Sequence, residues 1–486
     1  MGIDERDVRI SKLDEMRSMG INPYRDRYER NKTLLEAKGL PVGTTGIRIA
    51  GRVMTVRKFG KLIFATLKDS SAKMQIALQL SSIDKEKFSL FKKYADIGDF
   101  IGAEGTIFKT KLGEITLDVA GFELLSKTLR PLPEKWHGLQ EQELVYRQRY
   151  LDLVMNEGSI EKFLKRTRII KSIRDYLDNH SFIEVETPAL QTKPSGAIAT
   201  PFTTRHNALD LDLYLRIAPE TYLKRCIAGG FERVYEFARC FRNEGIDPSH
   251  LQDFTLLEWY VAYWNYRDNM NFTRELIKHV VSEVNESLKV TFGDKIIDFE
   301  GEWETVSIRE LILRDTGIDV FETTKEDELR GLIESKGIEI EGKEQMGFGS
   351  LVDNLYKKVS RPKLDGPVFL IHHPIELSPL SRRNDSEPRI TDRYQVVING
   401  WEIVNAYSEL VDPIDQRKRF EEQAEMKKKG DTEAMTVDED FLTAMEYGMP
   451  PISGLGLGVD RFVALLTNEE NLRDVILFPL MRPQEK

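Results

Sequence analysis

Between Ile47 and Leu125 apolar and polar residues alternate through five short runs, IRIAGRVMTV, KLIFATLKD, KMQIALQL, FIGAEGTIFKT and EITLDVAGFELL, separated by Gly, Lys and Asp turns. Successive side chains of a strand point to opposite faces, so this period predicts half-buried strands, and five of them can close into a small barrel. Ahead of them Val8, Leu13, Met16, Ile21, Leu34 and Leu35 recur among charges, which predicts short amphipathic helices around a Gly20-Ile21-Asn22-Pro23 break. Behind them Pro131 and Pro133 interrupt the pattern before a charged stretch, Glu141 to Asp152. The period then becomes helical: Ile160, Phe163, Leu164, Thr167, Ile170, Ile173 and Leu177 share one face. FIEVETPAL follows as a strand ending at Pro188. RVYEFARCFRNE and FTLLEWYVAY predict an antiparallel hairpin with a long polar loop, Gly245 to Asp253, and YQVVINGWEIVNAYSELVD predicts two more strands. Residues 303–360 are charged and helix-like, without a chemical motif.

These elements predict an α+β protein in four segments. A helical arm covers 1–45, a barrel of the oligonucleotide-binding (OB) type 46–128, and a linker 129–145; a larger domain, 146–486, has a central antiparallel sheet flanked by helices and a helical insertion around 303–360. A chain of 486 residues exceeds what one core organises, which agrees with this division. The charged start, MGIDERDVRISK, and the lack of a long uncharged apolar run predict a cytoplasmic protein without membrane segments. Cys226 and Cys240 are too few for a disulfide framework or a four-cysteine zinc site. The net charge of −10 argues against indiscriminate nucleic-acid binding, but Arg48, Arg52, Arg57, Lys58, Lys61, Lys68 and Lys73 crowd the first barrel strands beside Asp69. Such a local patch can track phosphates.

The candidate chemistry lies in the larger domain. Phe241-Arg242-Asn243-Glu244 is followed by Phe254-Thr255-Leu256-Leu257-Glu258, and alternation can bring Arg242 and Glu258 to one face of adjacent strands. The guanidinium fork can hold a phosphate and a carboxylate together, so Arg242 suits a charge-stabilising role. Gly454-Leu455-Gly456-Leu457-Gly458-Val459-Asp460-Arg461 reads as a glycine-rich turn before an apolar helix, where Arg461 can reach a terminal phosphate. It lacks the Lys-Ser/Thr ending of a P-loop and the strand-plus-acid setting of a dinucleotide site. Taken singly, Phe254 reads as a core residue and His250 as a solvated loop histidine; only their neighbours argue otherwise.

Together FIEVETP, the FRNE…FTLLE pair and GLGLGVDR resemble the three signature motifs of the class II aminoacyl-tRNA synthetases, whereas the HIGH and KMSKS signatures of the other class do not occur. Over residues 20–485 the chain is similar to bacterial lysyl-tRNA synthetases, most closely in GAIATPFTTRHNALDLDLYLRIAPETYLKR, FRNEG, NAYSEL and GLGLGVDR. The resemblance implies a lysine–tRNA ligase with tRNA(Lys), ATP and L-lysine as partners, Mg²⁺ as cofactor and a homodimer packed near Pro188. It implies lysine binding by Gly196, Glu220, Arg242, Glu258, Tyr260, Asn405, Tyr407 and Glu409, and ATP binding by Arg242, Glu244, His250, Phe254, Glu402 and Arg461. Arg242 and Arg461 would be catalytic. An ammonium withdrawn from water needs anionic acceptors, which Glu258 and Glu409 can supply. Family metal positions fall on Glu402 and on Gln395, and the neutral Gln395 puts the number and affinity of magnesium ions in question. In the barrel the resemblance gives Phe64 a stacking role and gives Arg57, Gln75 and Glu114 contacts to anticodon bases. Three rival readings are a paralogue that lysylates protein, a silent RNA-binding derivative, and an aspartate or asparagine specificity. The barrel opposes the first, the retained Arg242, Glu258, Glu402 and Arg461 oppose the second, and Glu258 with Glu409 oppose the third.

Overall fold

A computed structural model describes residues 4–133, 141–197, 199–245, 247–323, 325–428 and 435–484. Much of the expected linker, residues 134–140, lies outside the described residues. Internal contacts divide the chain into two units, Met1–Ile160 and Glu161–Lys486.

The first unit is built on strands β1 (Ile47–Phe59), β2 (Leu62–Lys68), β3 (Lys73–Gln79), β4 (Phe100–Lys109) and β5 (Ile115–Ser126), closed in the order β1-β2-β3-β5-β4. Alternation directs Ile63, Ala65 and Leu67 of β2, Ile76 and Leu78 of β3, and Leu117 and Val119 of β5 into the interior. A register shift in β1 between Val53 and Thr55 breaks the alternation, so adjacent Val53 and Met54 are both buried. A helix not foreseen from the pattern, Lys85–Tyr94, lies between β3 and β4; Asp84 caps it and Phe88 and Phe91 join the core. The helices Glu5–Ser18 and Leu34–Lys38 form as expected, the second opened by a Thr33/Glu36 capping box. Their Met16, Leu34 and Ala37 are fully buried in the same core.

The second unit carries an eight-stranded sheet. Its strands are β6 (Ile183–Glu184), β7 (Arg233–Phe241), β8 (Asp253–Ala262), β9 (Glu304–Ser307), β10 (Val368–Ile371), β11 (Arg393–Ile398), β12 (Trp401–Ser408) and β13 (Ile452–Gly458). They lie in the order β9-β10-β11-β12-β13-β8-β7-β6, antiparallel except at the two ends. On one face Leu257, Trp259, Tyr394, Val404 and Leu457 pack with Ile173 and Leu177 of helix Ser159–Asn179, Ile277 and Val281 of helix Tyr266–Asn285, and Phe462 of helix Val459–Thr467. On the other, Tyr260 and Val234 meet Leu223 and Ile227 of helix Glu220–Ala228.

Three local expectations change. FIEVETPAL yields a strand of two residues, Ile183–Glu184, parallel to β7, because the chain leaves the sheet before Pro188. The glycine-rich turn is instead strand β13, paired along its length to β8 and from Ser453 to Leu457 to β12, with the helix starting at Val459. The insertion contains helices Ile308–Thr316, Glu326–Ser335 and Phe348–Leu355, but its first segment is the edge strand β9.

Candidate functional site

Two rows of residues cross the middle of the sheet. Register aligns Glu258, Gly456, Asn405 and Gln395 in one row, and Tyr260, Gly454, Tyr407 and Arg393 in the next. With Leu257 and Trp259 committed to the core, the period of two sends Glu258 and Tyr260 to the opposite face. The middle strand presents bare backbone there. A Cβ on Gly454 would lie 2.2 Å from Oε1 of Glu409 and 2.3 Å from Cε1 of Tyr260, so glycine is obligatory. Above these rows is a cavity of about 360 Å³ lined by Gly196, Glu220, Glu258, Tyr260, Asn405 and Tyr407 together with Arg242, Glu244, His250, Phe254, Glu402 and Arg461.

One end is acidic and buried. Glu220, Glu258 and Glu409 are 4 %, 5 % and 2 % exposed, a density of carboxylates that folding tolerates only with compensating partners. Tyr260 donates its hydroxyl to Oε2 of Glu258 over 3.0 Å, and Tyr407 donates to Oε1 of Glu220 over 2.8 Å. Burial, reinforced by Glu220, raises the Glu258 carboxyl well above its ordinary range. Burial likewise pushes Glu409 up to about 8, opposed by Lys224. Glu409 stands behind the cavity wall and contacts Lys224, a buried residue that sequence reasoning missed. Gly196, at φ +89°, takes a left-handed conformation in which a Cβ would meet Glu220 at 2.9 Å.

The other end is cationic. The Arg242 guanidinium lies 5.0 Å from the Phe254 ring centre, and its Nε is buried without a hydrogen-bond partner. Arg461, in the first turn of its helix, donates to the backbone oxygen of Glu402 over 2.9 Å and stands 3.3 Å from Nε2 of His250. His250 is braced through Nδ1 by Asp247 at 2.7 Å. Arg393, also missed in the sequence, lines the cavity away from this end, in the row of Tyr260 and Tyr407; its Nε donates to Oδ1 of Asn405 over 2.8 Å and its Nη1 to the Leu377 oxygen over 2.9 Å.

Among the described residues no group of three or more His, Cys, Asp or Glu side chains forms a metal cage. Glu402 lines the cavity, while Gln395 lies outside the lining and donates through Nε2 to Oε2 of Glu402 over 2.7 Å. One carboxylate with a neighbouring amide oxygen fits a magnesium ion that arrives on phosphates and keeps most of its water, and does not fit a dedicated protein cage.

On the barrel, Arg57 of β1 faces Phe64 of β2, and Thr66 of β2 faces Gln75 of β3, which faces Thr116 of β5. Arg57 donates to Oε1 of Gln75 over 3.0 Å, and Gln75 donates to Oγ1 of Thr116 over 3.0 Å. Arg57 and Phe64 are cross-strand neighbours, and Gln75 is bonded to Arg57; exposed Glu114 precedes β5. Phe59, 61 % exposed with its ring edge-on to Phe64 at 6.4 Å, extends this platform and was not singled out in the sequence.

Residues 141–482 match the family model "tRNA synthetases class II (D, K and N)", and residues 47–125 match "OB-fold nucleic acid binding domain". Over 98 % of its length the chain is 47 % identical to a lysine–tRNA ligase of Pelotomaculum thermopropionicum, covering 95 % of that protein. The corresponding enzyme of Thermotoga maritima is 45 % identical, with 99 % of this chain and 96 % of that one covered. That of Bacillus subtilis is 43 % identical, with 99 % and 97 % covered.

Proposed function

Because this chain belongs to the class II tRNA synthetases and, within them, to the lysine–tRNA ligases, we propose that its cavity activates L-lysine with ATP and passes the lysyl group to the 3′ end of tRNA(Lys). The observation that carries this reading is the polarity of one cavity: buried carboxylates at one end and two arginines at the other. A diamino acid placed with its ε-ammonium toward Glu258 and its carboxylate toward Arg242 spans the two. The carboxylate oxygen attacks the α-phosphorus of ATP, the bond to the bridging oxygen breaks, and pyrophosphate leaves. Arg242 stabilises charge growing on the α-phosphate oxygens, and Arg461 receives the terminal phosphate. The terminal ribose hydroxyl of tRNA then attacks the lysyl carbonyl, releasing AMP. Positioning and charge stabilisation account for both steps without a covalent enzyme intermediate.

Phe254 offers the adenine a stacking face, with Glu244 and His250 near the nucleotide. Gly196, Glu220, Tyr260, Asn405, Tyr407 and Glu409 complete the lysine pocket. Glu402, assisted by the amide oxygen of Gln395, would hold magnesium, which supplies neutralisation of phosphate charge. The barrel face of Arg57, Phe64, Gln75 and Glu114 is assigned to anticodon bases, supported by its match to nucleic-acid binding domains. We divide the chain functionally as an arm over 1–45, the anticodon barrel over 46–128, a linker over 129–145 and the catalytic domain over 146–486. A homodimer is part of the proposal, supported by Ile183 and Leu190 around Pro188, which are 50 % and 49 % exposed. Among the described residues no helix is long and apolar enough to cross a membrane, and we place the enzyme in the cytoplasm, where charged tRNA is used.

Charging of total tRNA with radiolabelled L-lysine tests the reading. ATP-dependent lysylation of tRNA supports it. Transfer to protein instead, charging with aspartate or asparagine, or tRNA binding without charging would each replace it.

A further inference from the structure

Beneath the acidic end of the cavity lies an ammonium group of the protein's own. Lys224 follows Glu220 by one helical turn and has no exposed surface. Its Nζ donates to Oε1 of Glu220 over 2.6 Å and contacts Oε2 of Glu409. The rings of Tyr407, Phe441 and Tyr260 surround it at 5.7, 5.8 and 6.0 Å. Stability alone does not account for such a residue, since a buried ion pair can often be replaced by apolar side chains of similar volume without loss. Its neighbours belong to the cavity wall, which suggests a role in what the cavity accepts.

On the premise that this cavity binds L-lysine, we propose that Lys224 is a positioning and specificity-determining residue: it stands as a built-in counter-cation for Glu220 and Glu409, leaving Glu258 as the carboxylate that receives the ε-ammonium of the substrate. The charge count supports this division. Three carboxylates converge; Lys224 balances one, the substrate balances a second, and the remainder is relieved by the Tyr407 and Tyr260 hydroxyls or by a proton. The ionisable groups facing Lys224 among the described residues include Glu220 on its own helix, Glu258 and Tyr260 on β8, and Tyr407 and Glu409 on or just after β12. Helix Glu439–Glu446 contributes the apolar Phe441, and the preceding Asp438 pairs with Arg225. Burial pulls the ammonium toward neutrality, and Glu220 and Glu409 more than offset it. Without Lys224 the carboxylates would lose that counter-charge and take up protons at higher pH, and the substrate would meet neutral acids.

The test is direct L-lysine binding by calorimetry to the full-length protein across pH, comparing wild type, Lys224→Met and the double variant Lys224→Met/Glu409→Gln. The single variant is expected to bind lysine more than about tenfold more weakly at neutral pH, with the profile displaced to higher pH. In exchange assays KM for lysine should rise more than kcat falls. The double variant removes one charge of each sign, so it should fold where the single variant does not, bind lysine more tightly than the single variant and return the profile toward lower pH, while staying below wild type because Glu409 belongs to the pocket. A single variant with an unchanged profile, or a double variant that neither binds better than the single variant nor shifts its profile back, overturns the role of Lys224. Failure of the wild type itself to bind L-lysine would instead overturn the premise.

Discussion

Gln395 donates through Nε2 to Oε2 of Glu402 over 2.7 Å, so an amide occupies one oxygen of the carboxylate assigned to magnesium. Replacing Gln395 by Glu places a second negative charge beside Glu402, which is unfavourable until a cation arrives. Gln395→Glu should therefore lower the unfolding temperature without magnesium and restore it as Mg²⁺ is added with a non-hydrolysable ATP analogue. Thermal melts over a magnesium series measure this. A variant whose magnesium response matches wild type would detach Gln395 from the metal.

Arg242→Ala should lower kcat for lysine-dependent pyrophosphate exchange by about 10²–10³, the usual effect of removing one fixed stabiliser of transition-state charge. Exchange at the wild-type rate would remove Arg242 from the mechanism.

The raised carboxyl of Glu258 sets the sign of a pH effect. A bound ammonium favours the ionised form of Glu258, so lysine binding must release protons, and affinity should climb as pH rises through the raised range of that carboxyl. Below that range binding weakens because protonated acids are poor partners for a cation. Calorimetry in two buffers of different ionisation enthalpy counts the protons; zero release would contradict the shifts. Glu258→Gln should abolish much of this dependence while weakening binding.

Gly454→Ala forces a methyl group into the space held by Glu409 and Tyr260. Lysine-dependent exchange should fall by about 10² or more, the scale of a misplacement near 1 Å, while binding of ATP measured alone is retained. Equal loss of both would point to collapse of the sheet.

Phe64→Ala should weaken tRNA charging by removing a stacking partner worth about 1–3 kcal/mol per base, and should leave pyrophosphate exchange unchanged. Phe59→Ala serves as a second probe of the same platform. Loss of exchange in either variant would assign these rings to structure.

The barrel was legible because alternation over five runs records which side chains face inward, and Ile63, Ala65 and Leu67 lie where that period puts them. The same period brought Arg242 and Glu258 to the cavity. Lys224 was invisible for a physical reason: a helix position records its own neighbours three and four residues away, such as Glu220, but not a carboxylate just past a strand far along the chain, such as Glu409. β13 was misread because glycines signal a turn unless the flanking strands are known, and its pairing to β8 and β12 is a long-range fact. The helix Lys85–Tyr94 was lost in a stretch of charges whose apolar residues, Phe88 and Phe91, are few and close together.

Met16, Leu34 and Ala37, which precede the first barrel strand, have no exposed surface and pack in the same hydrophobic core as the barrel strands. The two helices before the barrel are thus an integral part of its core and not a detachable tail. A minimal barrel domain excised from this chain has to keep both helices, for a cut at residue 46 would leave three vacancies in the hydrophobic filling and bare apolar surface prone to aggregate.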